Sequence, residues 1–202
     1  MSGACYIAFE GAEGCGKSTQ VALLAADLHA VATRETGGTA IGARIREILH
    51  DTATTGLAAR AEALLTAADR AQHLEQVVLP ALAAGRHVVS DRSAHSALAY
   101  QGYGRMLEVD EVRKLNDWAV GARWPDLVVL IDVAPDMLAM RMHDRDLDRF
   151  EQAGDEFHAR VRAGFDALAA ADPQHWAVID GNARIDDVAR DVRACVRRRL
   201  GI

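Results

Sequence analysis

The sequence predicts a three-layer α/β fold in which a parallel sheet of about five strands is covered by helices on both faces. Short apolar runs alternate with helical patterns along the whole chain, as is typical of an α/β domain. The apolar runs are continuous rather than alternating, which indicates strands buried on both faces of a parallel sheet. The 202 residues, of which 50% are hydrophobic and 26% charged, suit one domain with a sizeable core.

The predicted elements follow one another in regular order. The predicted strands are Tyr6–Phe9, Ala30–Thr33 and the runs HVVS, LVVLIDV and WAVID. A helix is expected over about 17–30, and the run IGARIREIL is predicted to be an amphipathic helix. One face of that helix would carry Ile41, Ile45, Ile48 and Leu49. A long Ala/Leu-rich helix is expected from about Leu57 to Ala84, where Gly85 provides a normal stop.

Residues 144–155, with the sequence DRDLDRFEQAGD, interrupt this order. The segment is dense in both signs of charge and nearly free of large apolar side chains. Composition alone favours a solvated loop or helix end. The alternative is a short mobile lid that carries cations over an anionic substrate. On either interpretation we expect residues 1–202 to form a single domain.

Composition and charge argue against several classes of protein. The formal net charge of −6 argues against a nucleic-acid binder, which usually has a basic surface. Cys5, Cys15 and Cys195 have neither disulfide-framework nor zinc-site spacing, which indicates reduced thiols. The sequence shows no signal peptide and no stretch near the roughly 18 to 20 apolar residues of a membrane span. We therefore expect a cytoplasmic protein that binds neither nucleic acid nor membranes.

The run FEGAEGCGKST contains the complete phosphate-loop pattern G-x-x-x-x-G-K-[ST] between a predicted strand and a predicted helix. Glycines let backbone N–H groups turn toward phosphates, and the N-terminus of the following helix adds positive potential. Lys17 would reach the β- and γ-phosphates of ATP, and Ser18 would offer its hydroxyl to Mg²⁺. The residues expected to bind the nucleotide are Gly11, Ala12, Glu13, Gly14, Cys15, Gly16, Lys17, Ser18 and Thr19.

Cations elsewhere in the chain must complete the site. The variable loop positions supply no cation, yet charge that develops during phosphoryl transfer needs an arginine or lysine. Arg34 and Arg92 follow predicted strands, at the edge where doubly wound sheets bind ligands, and Arg70 lies on a buried-looking helix. A single arginine often forms only a surface salt bridge. Three arginines in such places indicate a binding site for a second anion.

Taken in order, these motifs resemble the thymidylate kinase family. The matching pieces are FEGAEGCGKST, TRETGGT, LLTAADRAQH, DRSAHSALAYQG, RWPDLVVLIDV, LDRFE and RVRAGFDALA, and they cover nearly the whole chain. The resemblance implies a P-loop nucleoside-monophosphate kinase fold. It also implies transfer of the γ-phosphoryl group of ATP to dTMP, giving dTDP and ADP for dTTP synthesis, with Mg²⁺ as cofactor and a homodimer as the assembly.

The resemblance also implies the residues of the phosphoryl path. Arg92 would hold the transferring or acceptor phosphate, and Asp91 would lie near Mg²⁺. Arg145 and Arg149 match lid arginines that stabilise the transfer, and Asp148 would orient Arg149. The expected catalytic residues are Lys17, Asp91, Arg92, Arg145 and Arg149, and the expected metal ligands are Ser18 and Asp91.

The acceptor pocket is implied in the same way. Arg70 would address the acceptor phosphate and the base edge, Tyr100 would crowd the 2′ position of the sugar, and Gln101 would address the base. Glu10 would either position Mg²⁺ or hold the loop. The expected acceptor-binding residues are Glu10, Arg34, Arg46, Thr66, Arg70, Arg92, Ser96, Tyr100 and Gln101.

Two departures from the family pattern leave alternatives open. Thr36 stands where the family usually has proline, and a non-proline cis peptide costs about 3 kcal/mol, so the geometry of the Glu35–Thr36 bond stays open. Thr66 stands where a phenylalanine commonly stacks on the pyrimidine, a loss of roughly 1 kcal/mol, for which Tyr103 is a candidate substitute. The alternatives are a related kinase for another nucleotide or nucleoside and a regulatory P-loop ATPase.

Overall fold

Five parallel strands form one sheet in the computed structural model, which describes residues 3–121, 123–143 and 147–202. The strands are β1 (Tyr6–Glu10), β2 (Val31–Arg34), β3 (Val88–Asp91), β4 (Leu127–Asp132) and β5 (Trp176–Asp180). Their order is β2-β3-β1-β4-β5, so that β1 lies at the centre between β3 and β4. The predicted parallel sheet of about five strands is confirmed.

Helices connect successive strands. The α-helices are α1 (Lys17–Asp27), α2 (Ala40–His50), α3 (Ala59–His73), α4 (Leu79–Ala83), α5 (Ala94–Ala97), α6 (Val109–Val120), α7 (Pro135–Met142), α8 (Asp155–Ala171) and α9 (Ile185–Leu200). The segments π1 (Leu74–Val78) and π2 (Leu98–Gly104) are π-helical, and Glu151–Ala153 is a 3₁₀ turn. The predicted long helix is therefore α3, π1 and α4 in succession. None of the described helices is both long and apolar enough to cross a membrane.

The sheet separates two main hydrophobic cores. On one face, Ile7 and Phe9 of β1 pack with side chains of α1 and α9. On the other face, Leu130 of β4 packs with π2 and α8. Helices therefore cover both faces, and the continuous apolar strands predicted from sequence are explained by burial on both sides.

The apolar positions predicted for one face of α2 do not share one environment. Leu49 is fully buried and Ile45 packs against the same core, but Ile41 and Ile48 are 51% and 47% exposed. The helix packs against α3 on one side only, so its apolar stripe is wider than the surface that covers it. Part of the stripe is left on the outside of the molecule.

The carboxyl ends of three neighbouring strands bring charged side chains to one edge of the sheet. β1 ends at Glu10, β3 at Asp91 and β2 at Arg34. Arg34 pairs in register with Asp91, which also pairs with Phe9. Parallel strands that end together place their following loops side by side, so the fold itself builds the polar edge.

His95 is buried on α5 between two tryptophan rings. Its ring centroid lies 4.6 Å from that of Trp124 and 5.0 Å from that of Trp176, and the residue is only 9% exposed. Burial, reinforced by the charges of Arg113 and Arg70, lowers the pKa of His95 to about 3. A histidine in the unfolded chain has a pKa near 6.5. Protonation therefore favours the unfolded state.

This difference predicts a pH-dependent stability. Between about pH 6.5 and pH 3 the unfolded chain binds a proton at position 95 that the folded protein excludes. The free energy of unfolding should therefore decrease as the pH is lowered through this range. This group alone should contribute up to about 1.4 kcal/mol for each pH unit. Urea unfolding of wild type and His95→Phe at pH 7 and pH 5.5 should show a smaller pH effect in the variant. The exposed His29→Gln is the control, and equal pH effects in wild type and His95→Phe would contradict the prediction.

Candidate active site

A cleft of about 960 Å³ opens at the carboxyl edge of the sheet. It is bordered by the glycine loop before α1, the loop after β2, the end of α2, one side of α3 and residues 91–101. The residues predicted for the site that line it are Glu13, Gly14, Gly16, Lys17, Ser18, Thr19, Arg34, Arg46, Thr66, Arg70, Asp91, Arg92, Ser96, Tyr100 and Gln101. The structure thus brings the predicted donor and acceptor residues together in one space.

The loop between β1 and α1 has the conformation that its glycines permit. Gly11, Gly14 and Gly16 have φ values of +140°, +76° and +96°, where residues with a side chain are strained. Lys17 Nζ donates hydrogen bonds to the carbonyl oxygens of Gly11 (3.1 Å) and Ala12 (2.8 Å). The first turn of α1 contains no acidic residue. Its N–H groups and the lysine are therefore suited to phosphate oxygens.

Ser18 and Asp91 meet beside this loop. The Ser18 hydroxyl donates a hydrogen bond to Asp91 Oδ2. Hydroxyl and carboxylate oxygens are the hard ligands that Mg²⁺ accepts, usually together with phosphate oxygens and water. Among the described residues no group of three or more His, Cys, Asp or Glu side chains is arranged to hold a metal on its own. The pair therefore fits a metal carried in with a nucleotide.

Arg92 lines the same cleft as Lys17 and contacts the glycine loop through Glu13. It has a left-handed backbone (φ +74°), and its guanidinium binds the Glu13 carboxylate, Ser96 Oγ (3.0 Å) and Tyr100 Oη (2.9 Å). Burial opposes ionisation of Glu13, but the charges of Arg92 and Lys17 outweigh it and lower the pKa of Glu13 to about 2. Arg92 is thus held among polar side chains with Glu13 as its counter-ion.

Glu10 is fully buried and does not line the cleft. One of its carboxylate oxygens accepts hydrogen bonds from the backbone N–H and hydroxyl of Ser93 (both 2.9 Å). The other accepts from Ser96 Oγ at 2.6 Å. Burial raises the pKa of Glu10. These contacts hold the turn that follows Arg92 and not the phosphate loop, and Glu10 is buried away from the cleft in which it was expected to bind the acceptor.

Arg70 lines the cleft but is already bound on three sides. Nε donates to Glu35 Oε2 (2.6 Å), Nη1 to Asn116 Oδ1 (2.5 Å) and Nη2 to the carbonyl of Ser93 (3.1 Å). His73 Nδ1 lies 2.9 Å from the second oxygen of Glu35. The arginine predicted to address the acceptor is therefore fixed by a buried network, with one N–H left on each terminal nitrogen.

The loop after β2 is held over the cleft by side chains from α2 and α3. Its Glu35–Thr36 peptide is cis, which answers the question left open by the missing proline. Arg46 Nη1 donates to the carbonyl of Thr36 at 3.3 Å, and Asp69 Oδ1 accepts from the N–H of Gly37 at 2.9 Å. Arg34 is exposed beside them and lines the cleft.

The predicted lid cations are arranged differently from expectation. Arg149 does not line the cleft, because Nη2 binds Glu62 Oε2 (2.7 Å) and Nε binds the carbonyl of Leu49 (2.7 Å). Asp148 does not orient this arginine but pairs with His50 at 2.6 Å. Arg145, predicted to be catalytic, lies outside the described residues.

The part of the cleft that is lined by Thr66 and Phe150 has both small and aromatic side chains. Thr66 lines the cleft and donates its hydroxyl to the carbonyl of Ala63 at 2.9 Å. Tyr103, the candidate replacement for a stacking ring, lies against Gly164 and does not line the cleft. Phe150 does line it, with its ring centroid 5.9 Å from that of Tyr100. Phe150 and Tyr100 therefore supply the aromatic surface of the cleft in place of a ring at position 66.

Several site residues were not identified from the sequence. Buried Glu35 anchors Arg70, and buried Glu62 binds Gln101 Nε2 at 2.8 Å. A signal for Glu62 was present, since it stands one helical turn before Thr66 on the same side of α3. His50 and Phe150 gave no signal, because only the fold brings them beside the cleft.

Removal of the Glu35 charge should destabilise the protein. A Glu35→Gln variant would leave the Arg70 guanidinium buried without its charged partner, at a cost of about 3–5 kcal/mol. Urea denaturation should show this loss in the free energy of unfolding. The exposed Glu47→Gln on α2 serves as control and should stay within about 0.5 kcal/mol of wild type. A Glu35→Gln protein as stable as wild type would contradict the anchoring role.

Comparison with known proteins agrees with this geometry. The family model described as thymidylate kinase matches residues 9–192. A thymidylate kinase from Synechococcus sp. (strain JA-3-3Ab) is 47% identical over 201 residues, with 96% of each chain covered. One from Desulfovibrio desulfuricans is 42% identical, again with 96% of each chain covered. The crystal structure of thymidylate kinase from Ehrlichia chaffeensis superposes with a TM-score of 0.81 at 32% identity, covering 96% of this chain and 99% of that one.

The site and the comparisons lead to the same class of enzyme. The glycine loop and a group of arginines line one cleft, as an enzyme that transfers a phosphoryl group between two phosphate compounds requires. The family match extends over most of the chain and contains both sides of that cleft. The chain belongs to the thymidylate kinase family and is an ATP-dependent nucleoside-monophosphate kinase.

Proposed function

We propose that this kinase transfers the γ-phosphoryl group of ATP to dTMP and supplies dTDP for dTTP synthesis. The observation that carries the proposal is the shared cleft, which Lys17 and Arg92 line together with Tyr100 and Gln101. The competing function is that of a related kinase for another nucleotide or nucleoside, because Thr66 offers no ring for stacking on a thymine.

The chemistry rests on positioning and charge neutralisation. The second pKa of a phosphate monoester is about 6, so the acceptor is mostly dianionic near pH 7 and needs no strong general base. Lys17 and the N-terminus of α1 would bind the donor phosphates, and Arg92 would exchange Glu13 for the transferring or acceptor phosphate. Ser18 and Asp91 would hold Mg²⁺, which when bound supplies positive charge against the phosphate oxygens.

The acceptor would lie on the opposite side of the cleft. Arg34 has no ion-pair partner among residues 3–121, 123–143 and 147–202, and Arg46 contacts only Thr36 oxygen atoms at 3.3 Å or more. Both lie within reach of the cleft and would address the acceptor phosphate. Tyr100 would pack against the sugar, and Gln101 with Arg70 would address the base.

A lid over about residues 144–155 remains part of the proposal, within a single domain spanning 1–202. Arg145 and Arg149 are the proposed lid cations. Because Nε and Nη2 of Arg149 are bound to Leu49 and Glu62, this role would fall to the N–H groups of its Nη1. A closed lid would exclude water that otherwise hydrolyses ATP. We also propose a cytoplasmic location, which suits the three free cysteines.

A homodimer is proposed through the outer face of α2, α3 and α6. These helices pack side by side, and each carries large apolar groups on the outside. Trp118 on α6 is 83% exposed and Leu64 on α3 is 58% exposed. Ile41 and Ile48 on α2 are each about half exposed. Adjacent exposed apolar side chains of this size mark an interaction surface, and most soluble oligomers are symmetric homodimers.

Acceptor-dependent ADP formation tests the activity. With ATP and Mg²⁺, we expect dTMP to give a kcat/KM at least tenfold above dUMP, dCMP, UMP or dGMP. Arg92→Ala should lower turnover with dTMP at least 100-fold without unfolding, because a cation facing the phosphates is lost. Another monophosphate as the best substrate would replace dTMP in the proposal. No stimulation by any monophosphate would contradict it.

Charge placed on the outer face should disrupt the dimer. In a Trp118→Glu/Leu64→Glu variant, two like charges would enter a face that the dimer buries, so sedimentation should show a monomer at concentrations where wild type is dimeric. The matched control is Val178→Glu, which is 58% exposed on the edge strand β5, and it should remain dimeric. Identical sedimentation of wild type and the double variant would contradict the assigned face.

A further inference from the structure

Glu62 lies beneath the base end of the cleft and has no exposed surface. Its Oε1 accepts from Gln101 Nε2 (2.8 Å) and from Arg105 Nε (3.2 Å). Its Oε2 accepts from Arg149 Nη2 (2.7 Å) and is ion-paired with Arg105 Nη2 at 3.1 Å. A buried carboxylate with two guanidinium partners is well compensated and holds a fixed position.

This arrangement determines which way the Gln101 amide points. A carboxylate oxygen with arginine partners only accepts hydrogen bonds, so the NH₂ group of the amide must face Glu62. Gln101 is 2% exposed and lines the cleft, and no described group donates to its Oε1. The amide therefore offers the cleft a hydrogen-bond acceptor and keeps its donor turned away.

We propose that Glu62 is a positioning residue that sets base selectivity by fixing the orientation of the Gln101 amide. The proposal rests on the proposed function, since it concerns the base of the acceptor nucleotide. An acceptor fixed in the pocket pairs with a ring N–H, which a keto pyrimidine has at N3 and cytosine lacks. Arg70, which has only donors to offer, complements a keto oxygen beside it.

Replacement of Glu62 by glutamine should reverse the amide. The new side chain has one carbonyl oxygen, and two guanidinium nitrogens lie within 3.1 Å of the Oε2 position, the nearer of them hydrogen-bonded at 2.7 Å, whereas one lies 3.2 Å from Oε1. Its carbonyl should therefore occupy the Oε2 position and its NH₂ should face Gln101. Gln101 would then turn its own carbonyl inward toward that NH₂ and present its NH₂ group to the cleft.

The experiment compares steady-state kinetics of wild type and Glu62→Gln with dTMP, dCMP and N3-methyl-dTMP. We expect the ratio of kcat/KM for dTMP over dCMP to fall about tenfold, the scale of one hydrogen bond lost and one gained. The KM for ATP should stay within twofold. Wild type should discriminate against N3-methyl-dTMP, and the variant should do so much less. Equal losses toward dTMP, dCMP and ATP would show a structural role only and would overturn the proposal.

A second variant tests the proposal where Glu62→Gln folds poorly. Gln101→Met keeps the buried carboxylate and both arginines but removes the acceptor, so it should lose most discrimination against N3-methyl-dTMP. In a Gln101→Met background, Glu62→Gln should change base selectivity by less than twofold, because there is no amide left to orient. Unchanged discrimination in Gln101→Met, or effects that multiply in the double variant, would overturn the proposal.

Arg105→Gln provides the matched control. It removes one partner of Glu62 from a side chain that is 24% exposed, but leaves Arg149 and the Gln101 contact in place. Base selectivity should stay within twofold of wild type. Failure of the proposed function appears separately, as a wild-type enzyme without dTMP turnover. The present proposal fails if wild type and Glu62→Gln are both active and have the same base selectivity.

Discussion

The structure depends on one electrostatic constraint: a cleft for two phosphate compounds must hold several cations close together. Their mutual repulsion is visible at Arg46, whose pKa is lowered by burial and then by the charge of Arg34. The positive charges of Arg92 and Arg70 are compensated by carboxylates from other elements. Glu13 binds Arg92 and Glu35 binds Arg70. The two carboxylates therefore fix the positions of the Arg70 and Arg92 guanidinium groups. The edge of the sheet brings the elements that carry these residues close together.

Because carboxylates fix the arginines in place, several residues that were predicted to belong to the site also hold elements of the fold together. Arg70 holds α3 to the loop after β2 and to α6, yet still lines the cleft. Glu10 holds the turn that follows β3, so that Arg92 leaves the sheet in one defined direction. Arg149 joins residues 147–151 to the end of α2 and to α3. Function here is built from the same contacts that stabilise the fold.

The fold and the phosphate loop were predictable because their signals are local. Continuous apolar runs specify parallel strands, and the glycine spacing before Lys17 specifies the loop. The partners of the arginines were not predictable, because Glu35 meets Arg70 and Glu62 meets Arg149 across 35 and 87 residues of chain. The direction of Arg149 illustrates the limit: its motif predicts a lid cation, whereas only packed neighbours determine which anion it faces. The half-exposed stripe on α2 is a similar case, since periodicity indicates an apolar face but not what covers it.

Glu13 is an anion that the protein itself places against Arg92. Its carboxylate occupies Arg92 beside the loop that binds phosphates, and it stays ionised far below neutral pH. A phosphate that reaches Arg92 therefore replaces one negative partner by another and does not fill an unpaired cation. The affinity of such a ligand would then be a difference between two ion pairs, and the tethered Glu13 carboxylate would compete with the ligand for Arg92.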